Sequence, residues 1–344
     1  MAIIDKPSDY FNTVLYTGNG TAIGSGGQAI TGVGFQPDFT WIKTRSFVDN
    51  HYVVDVVRGV TKDLRPDTTN AENTNTEGLS TFDTDGFTVG NMFNVNKVSE
   101  TYASWNWKAG GTASSNTDGS ITSSVSANQD AGFSIVSWTG NGTDNATVGH
   151  GLSQKPDMVI IKARENTSSW VTWHKDLTGS DYCMFLDASD AQSQYSTILK
   201  NQSASLLTLG TNSASNANTQ GFISYNFHSV QGYSKFGSYT GNGSTDGTFV
   251  YTGFRPAFVM TKRTNSTNSW EIQDSTRSDF NVCNEGLYPD LSNAEGDADR
   301  YDLLSNGIKM RTSGGMNQSG GSYIYMAFAE NPFVSSTGVP ATAR

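Results

Sequence analysis

The chain aligns with itself three times. The stretches "GFQPDFTWIKTR" (34–45), "GLSQKPDMVIIKAR" (151–164) and "GFRPAFVMTKR" (253–263) each place a proline six residues before a lysine: Pro37 to Lys43, Pro156 to Lys162 and Pro256 to Lys262. Upstream of each lies the same loop, "YTGNG" (16–20), "WTGNG" (138–142) and "YTGNG" (239–243). A period of about a hundred residues requires one structural unit built three times, with whatever buries its apolar face supplied within the unit or by its neighbours. The alignment divides the chain into an N-terminal arm and first repeat (1–110), a Gly/Ser/Thr-rich linker (111–131), a second repeat (132–234), a third (235–333) and a C-terminal tail (334–344). The register runs on past the lysines, because Lys162 to Trp170 and Lys262 to Trp270 are both eight, and Lys162 to Cys183 and Lys262 to Cys283 are both twenty-one. The two cysteines therefore read as equivalent positions, too few for a disulfide scaffold and best placed as buried free thiols.

Each unit is expected to be all-β. Charged residues are only 16% of the chain and Gly numbers 36, while helix-favouring residues are scarce. The strand after each proline alternates, with Phe39 and Trp41 against Thr40 in the first copy, predicting a half-buried strand there. The second copy is apolar on both sides at Met158, Val159, Ile160 and Ile161, predicting an inner strand. Short strands between turn signals predict three related β-sandwich, jelly-roll-like repeats. One short helix is expected over 188–201, and a short strand at 120–125 within the linker.

The glycine loops lack the lysine and following helix that a phosphate cradle needs. Asn-Gly between strand-like residues instead signals a hairpin whose type I′ turn sets both central residues at positive φ. Gly18, Asn19 and Gly20, Gly140, Asn141 and Gly142, and Gly241, Asn242 and Gly243 are therefore structural turns. No nucleophile elbow or H-E-x-x-H motif is present, and among four histidines His174, beside Asp176 and two tryptophans, is the one best placed for chemistry. Asp38 and Asp157 correspond, but the third copy has Ala257, so no carboxylate recurs throughout. The acidic runs 83–86 and 295–302 lack a full calcium-loop pattern, and neither a metal nor another cofactor is expected. The basic pairs Lys43/Arg45, Lys162/Arg164 and Lys262/Arg263 read as polar strand ends. Trp170, Trp173, His174 and Trp270, set in Ser/Thr/Asn-rich stretches, form the candidate glycan-stacking platform. A net charge of −10 supplies no basic stripe for nucleic acid, and no apolar run is long enough for membrane insertion. The start "MAIIDKPSDYFN" does not read as a secretion signal.

The stretches 118–164 and 236–263, with the end "MAFAENPFVSSTGVPATAR" (326–344), resemble modules of marine bacteriophage virion proteins, including cyanophage tail-fibre-like structural proteins. The resemblance covers nearly the whole chain. It implies a non-enzymatic virion surface protein of tail-fibre or fibre-tip type, assembled in the host cytoplasm. The partners it implies are other virion proteins and host-surface glycan, and a homo-oligomer, trimeric as fibres are, is expected. It transfers no catalytic residue. No long trimeric shaft or heptad pattern is present, which keeps a capsid decoration protein as the first alternative. A polysaccharide-degrading enzyme is the second.

Overall fold

The computed structural model describes residues 3–339, apart from the side chains of residues 298 and 299; the end of the C-terminal tail, 340–344, lies outside the described residues. Strands take 44% of the chain and helices 5%, so the chain is all-β, with several antiparallel sheets in a sandwich-type fold. Each repeat builds the same four-strand order, opening, closing, post-proline and fourth, as a whole sheet in the first and third repeats and within an eight-stranded sheet in the second. In the first repeat these are Phe11–Thr17, Thr101–Trp107, Phe39–Thr44 and Tyr52–Asp55. In the second they are Phe133–Thr139, Gly221–Phe227, Met158–Ala163 and Val171–His174. In the third they are Ser234–Thr240, Ser322–Pro332, Phe254–Arg263 and Glu271–Asp274.

A smaller sheet completes each sandwich. It is formed by Gln28–Thr31, Gly86–Val89 and Leu79–Asp83 in the first repeat, and by Thr147–Gly149, Leu206–Leu209 and Leu199–Gln202 in the second. In the third it is Phe249–Tyr251, Gly307–Met310 and Gly296–Leu304, with Cys283–Gly286 at the edge. The first strand of a repeat lies beside its last, and the second beside the next to last, which is the nesting of a rolled-up hairpin.

Two sequence expectations give way here. Segment 111–131 is not a free linker, because Ser114–Asn116 and Ser123–Asn128 pair onto the opening strand of repeat two and widen its sheet. Segment 188–201 is not a helix: it carries the short strand Ser193–Gln194 and enters Leu199–Gln202. There, pairing with the apolar Leu206–Leu209 strand outweighs the local propensity.

The large sheets are apolar on both faces, and this decides the architecture. Ile42, Tyr52, Val54, Phe87 and Tyr102 fill the interior of the first sandwich. Phe39, Trp41, Trp105 and Trp107 turn the other way, into a core shared with repeats two and three. Phe39 meets Tyr225 at 4.4 Å and Phe133 at 6.0 Å; Phe227 meets Phe236 at 5.8 Å and Phe328 at 6.1 Å; Phe258 meets Phe11, Trp105 and Trp107 at 5.6–5.8 Å. Contacts thus run from repeat one to two, two to three and three back to one, and the repeats close into a ring around one aromatic core. Hence the first post-proline strand is buried along its whole length, where its alternation predicted half exposure. Thr40, on its polar side, donates to Asn106 Oδ1 at 3.0 Å.

The TGNG loops are turns, but they do not make hairpins. Each opening strand pairs with the closing strand of its repeat, and the loop carries the chain across to the second sheet. Only the last glycine has positive φ, at +68° for Gly20 and +67° for both Gly142 and Gly243, so a type I′ turn is excluded. Asn19, Asn141 and Asn242 instead accept a hydrogen bond from the backbone two residues on, forming Asx turns. A buried asparagine from the far end of the repeat, Asn96, Asn216 or Asn317, accepts the backbone N–H of that loop asparagine. Gly18, Gly140 and Gly241 are required for a different reason, since a Cβ there would lie 2.3–2.4 Å from a backbone oxygen of the facing segment.

Candidate functional site

The four residues read as a glycan platform are inside the protein. Trp170 and Trp270 are each 1% exposed, Trp173 is 2% and His174 is 0%, so none presents a ring face to a sugar. Trp170, Trp270 and His174 stand at contacts between repeats, while Trp173 lies on the opposite face of the His174 strand, at the position Val54 holds inside the first sandwich. Trp170 Nε1 donates to the carbonyls of Arg65 and Thr68 in repeat one, and Trp270 Nε1 donates to that of Phe185 in repeat two. His51, eight residues beyond Lys43, is the first repeat's counterpart. It accepts from Trp41 Nε1 at 2.8 Å on Nδ1, so the proton sits on Nε2, which donates to Tyr288 O in repeat three at 2.9 Å. Trp170→Ala or Trp270→Ala is therefore expected to cost about 3–5 kcal/mol of unfolding free energy, read by denaturant melts, as for a large core side chain. A variant that kept full stability would return the indole to the surface.

The repeated lysine belongs to the same device. Lys43 Nζ reaches Ser292 O in repeat three at 3.3 Å, Lys162 reaches Thr69 O in repeat one at 3.4 Å, and Lys262 reaches Ser189 O in repeat two at 3.0 Å. Two residues before each of those carbonyls stands an aspartate, Asp290, Asp67 or Asp187, buried or half-buried and facing the lysine of its own repeat. Within its own repeat, each of these aspartates accepts the backbone N–H of the aromatic position: Asp67 from His51, Asp187 from Trp170 and Asp290 from Trp270. Burial pushes the three lysines down to about 8, and pushes the three aspartates up. "LRPD" (64–67) and "LYPD" (287–290) carry this signal in the sequence; "MFLD" (184–187) hides it in the second copy.

Deeper in each junction the copies diverge. Between repeats two and one, Tyr225 donates to Asp55 Oδ2 at 2.8 Å, and Asp55 is held by Arg58. Between repeats one and three, Trp105 Nε1 donates to Asp274 Oδ2 at 2.9 Å, and Asp274 is held by Arg277. Glutamates bridge outward, Glu72 between Arg58 and Arg164, and Glu295 between Arg277 and Arg45. Between repeats three and two, the same positions hold His174, Leu177 and Met326, all buried, and Gln192 replaces the glutamate. The position of Arg45 and Arg164 is filled by Thr264, not Arg263: backbone bonds Glu72 to Arg164, Glu295 to Arg45 and Gln192 to Thr264 fix that register. His174 thus stands where the other junctions have an aspartate, and burial lowers its pKa to about 4.

Other sequence candidates find structural roles. Asp38 accepts from Gly111 N at 3.1 Å and Asp157 from Ser229 N at 2.7 Å, each tying down the chain as it leaves for the next repeat. The third copy has Ala257 at this position. Cys183 and Cys283 are free and buried, pushed up to about 12 and 11 by desolvation. Their equal spacing does not make them equivalent, because repeat three has extra residues before Leu287, whose bridge to Ile272 matches that of Leu64 to Val53. Among the described residues no group of three His, Cys, Asp or Glu is gathered as a metal site, and no helix is long and apolar enough to cross a membrane.

What remains open to solvent was not singled out from sequence. Clefts of about 460, 580 and 540 Å³ open at the one–three, two–one and three–two junctions. In repeat one, Phe93 and Val98 are exposed and Lys97 lies 4.2 Å from the ring centre of Phe47, where repeat two carries Ser213, Asn218 and Asn166. The sequence signal for these features is the departure of one repeat from its siblings at equivalent positions.

A search of curated proteins and of solved structures returned no match to the chain. A family model described as a domain of unknown function, DUF7483, matches residues 6–332, from the arm before the first opening strand to the end of the last closing strand. The three repeats and their ring are thus one family unit, and the chain belongs to the DUF7483 family.

Proposed function

We propose that the chain is a bacteriophage virion surface structural protein, of tail-fibre or fibre-tip type, that works through fixed contacts with other virion proteins and attaches to host-surface glycan. The observation that carries this reading is the closed ring. The recurring lysines, aspartates and indoles are all spent on holding three sandwiches around one core, which suits a rigid body rather than a catalyst. The exposed Phe93 and Val98, with Phe47 beneath Lys97, give repeat one an apolar surface suited to a lasting protein contact. Host-cell lysates yield the test. Antibody labelling of purified particles in the electron microscope is expected to place the chain on the tail. Labelling over the capsid surface would favour the decoration alternative, and particles free of the chain would overturn the reading.

A further inference from the structure

The cleft between repeats three and two differs from its two counterparts in carrying two lysines. It measures about 540 Å³, and Lys175, Ser229, Ser234, Lys235 and Tyr251 line it. Lys175 follows the fourth strand of repeat two, Lys235 lies on the opening strand of repeat three, and Tyr251 lies on that repeat's edge strand Phe249–Tyr251. Packing of the two repeats brings the lysines together. Burial and the charge of Lys175 hold the Lys235 ammonium below its ordinary pKa. Lys235 Nζ donates to Tyr251 O at 2.8 Å and lies 5.0 Å from the centre of that ring, while Lys175 Nζ is 3.3 Å from Asp157 Oδ1. Each ammonium has three donors, so both retain capacity for a ligand. Asp157, the carboxylate beside Lys175, is also shared with the Ser229 N–H and hydroxyl.

The other repeats act as internal controls. At the position of Lys175 they carry Val56 and Ser275, and at that of Lys235, Asn12 and Ser134. The position of Tyr251 is taken by Thr31 and Gly149. Tyr251 is 53% exposed and Phe249, on the same face of its strand, 44%. Two cations and the bare ring of Tyr251 therefore appear together at one of three equivalent places, in a chain of net charge −10. A cation pair selects an anionic group, and an exposed ring beside hydroxyl-lined walls selects the apolar face of a sugar.

We propose that this cleft binds a carboxylated saccharide, with the carboxylate between Lys175 and Lys235 and a sugar ring laid against Tyr251. The ligand class narrows the glycan-attachment part of the function proposed above and rests on that reading for its setting. The purified full chain tests the site itself, whatever the particle shows. Calorimetric titration with trigalacturonate is expected to show binding that weakens as salt is raised, with neutral maltotriose bound at least about tenfold more weakly. Lys175→Ser, Lys235→Asn and Tyr251→Thr each install the residue of a sibling repeat, and circular dichroism checks that each variant is folded. Each lysine variant should weaken trigalacturonate binding by about tenfold, the share of one charge-assisted hydrogen bond. Equal binding of the neutral sugar, unchanged affinity in both folded lysine variants, or no binding of trigalacturonate would overturn the proposal. So would a triglutamate peptide or free acetate that binds as tightly as the sugar, since the ring contact would then count for nothing.

Discussion

Arg277→Leu lowers the unfolding free energy by about 3–5 kcal/mol, because it leaves Asp274 buried without its cation. Arg277 also donates to the carbonyls of Ile272 and Glu285 and to Glu295, and its guanidinium lies 5.6 Å from the Trp105 ring centre. The molecule contains its own rescue. At the three–two junction the corresponding residues are His174, Leu177 and Met326, so Asp274→His, Arg277→Leu and Trp105→Met together convert the ionic junction into the apolar one. The triple variant should recover at least half of the loss in urea unfolding, since a buried ion pair exchanged for packed neutral groups is often neutral in stability. If the triple variant were less stable than Arg277→Leu alone, the three junctions would not be versions of one interface.

Acidification below neutrality should loosen the ring. The pKa values of His150 and His174 are lowered to about 4, and that of His51 is driven well below its ordinary 6.5, in each case chiefly by burial. Unfolded, these imidazoles take up a proton near pH 6.5; folded, they do so only near 4 or below. The unfolded state therefore binds more protons across that window, and stability falls as pH drops from about 6.5 towards 4. Each histidine contributes up to about 1.4 kcal/mol per pH unit, so three give about 4 kcal/mol per unit at the steepest point. The raised aspartates Asp67, Asp187 and Asp290 act oppositely at the acid end, because they take up protons in the folded state first. Urea midpoints at pH 7, 6 and 5 measure the effect. A flat profile would mean that the imidazoles are hydrated, and that the junctions around His51 and His174 are open.

The all-β class and the turn character of the TGNG loops were legible in the sequence, because each depends on local chemistry stamped three times. The roles of Lys43, Lys162 and Lys262 were not. Their spacing was visible, but the groups they serve are backbone carbonyls of another repeat, and carbonyls carry no residue-specific mark. Trp170 and Trp270 were misplaced for a related reason. The Ser, Thr and Asn around them looked like solvent-facing loop, yet the backbone of those loops is bonded to the neighbouring repeat, from Ser168 N to Thr69 O and from Asn268 N to Ser189 O. His174 drew attention as a lone buried histidine among aromatics. Comparison with Asp55 and Asp274 shows it as the neutral member of a set whose other members are charged.

Joining the three repeats in one polypeptide also changes what mutation can do. In a symmetric assembly of identical subunits every substitution arrives in triplicate, so a lysine pair placed at one seam would crowd all three. Here each seam is encoded separately. The three–two contact is the one where the chain passes directly from one sandwich to the next, and it is also where His174 and Leu177 replace the buried Asp–Arg pair and the bare ring of Tyr251 appears. Covalent linkage keeps that seam closed at high effective concentration, and so frees its side chains to differ from those of its siblings.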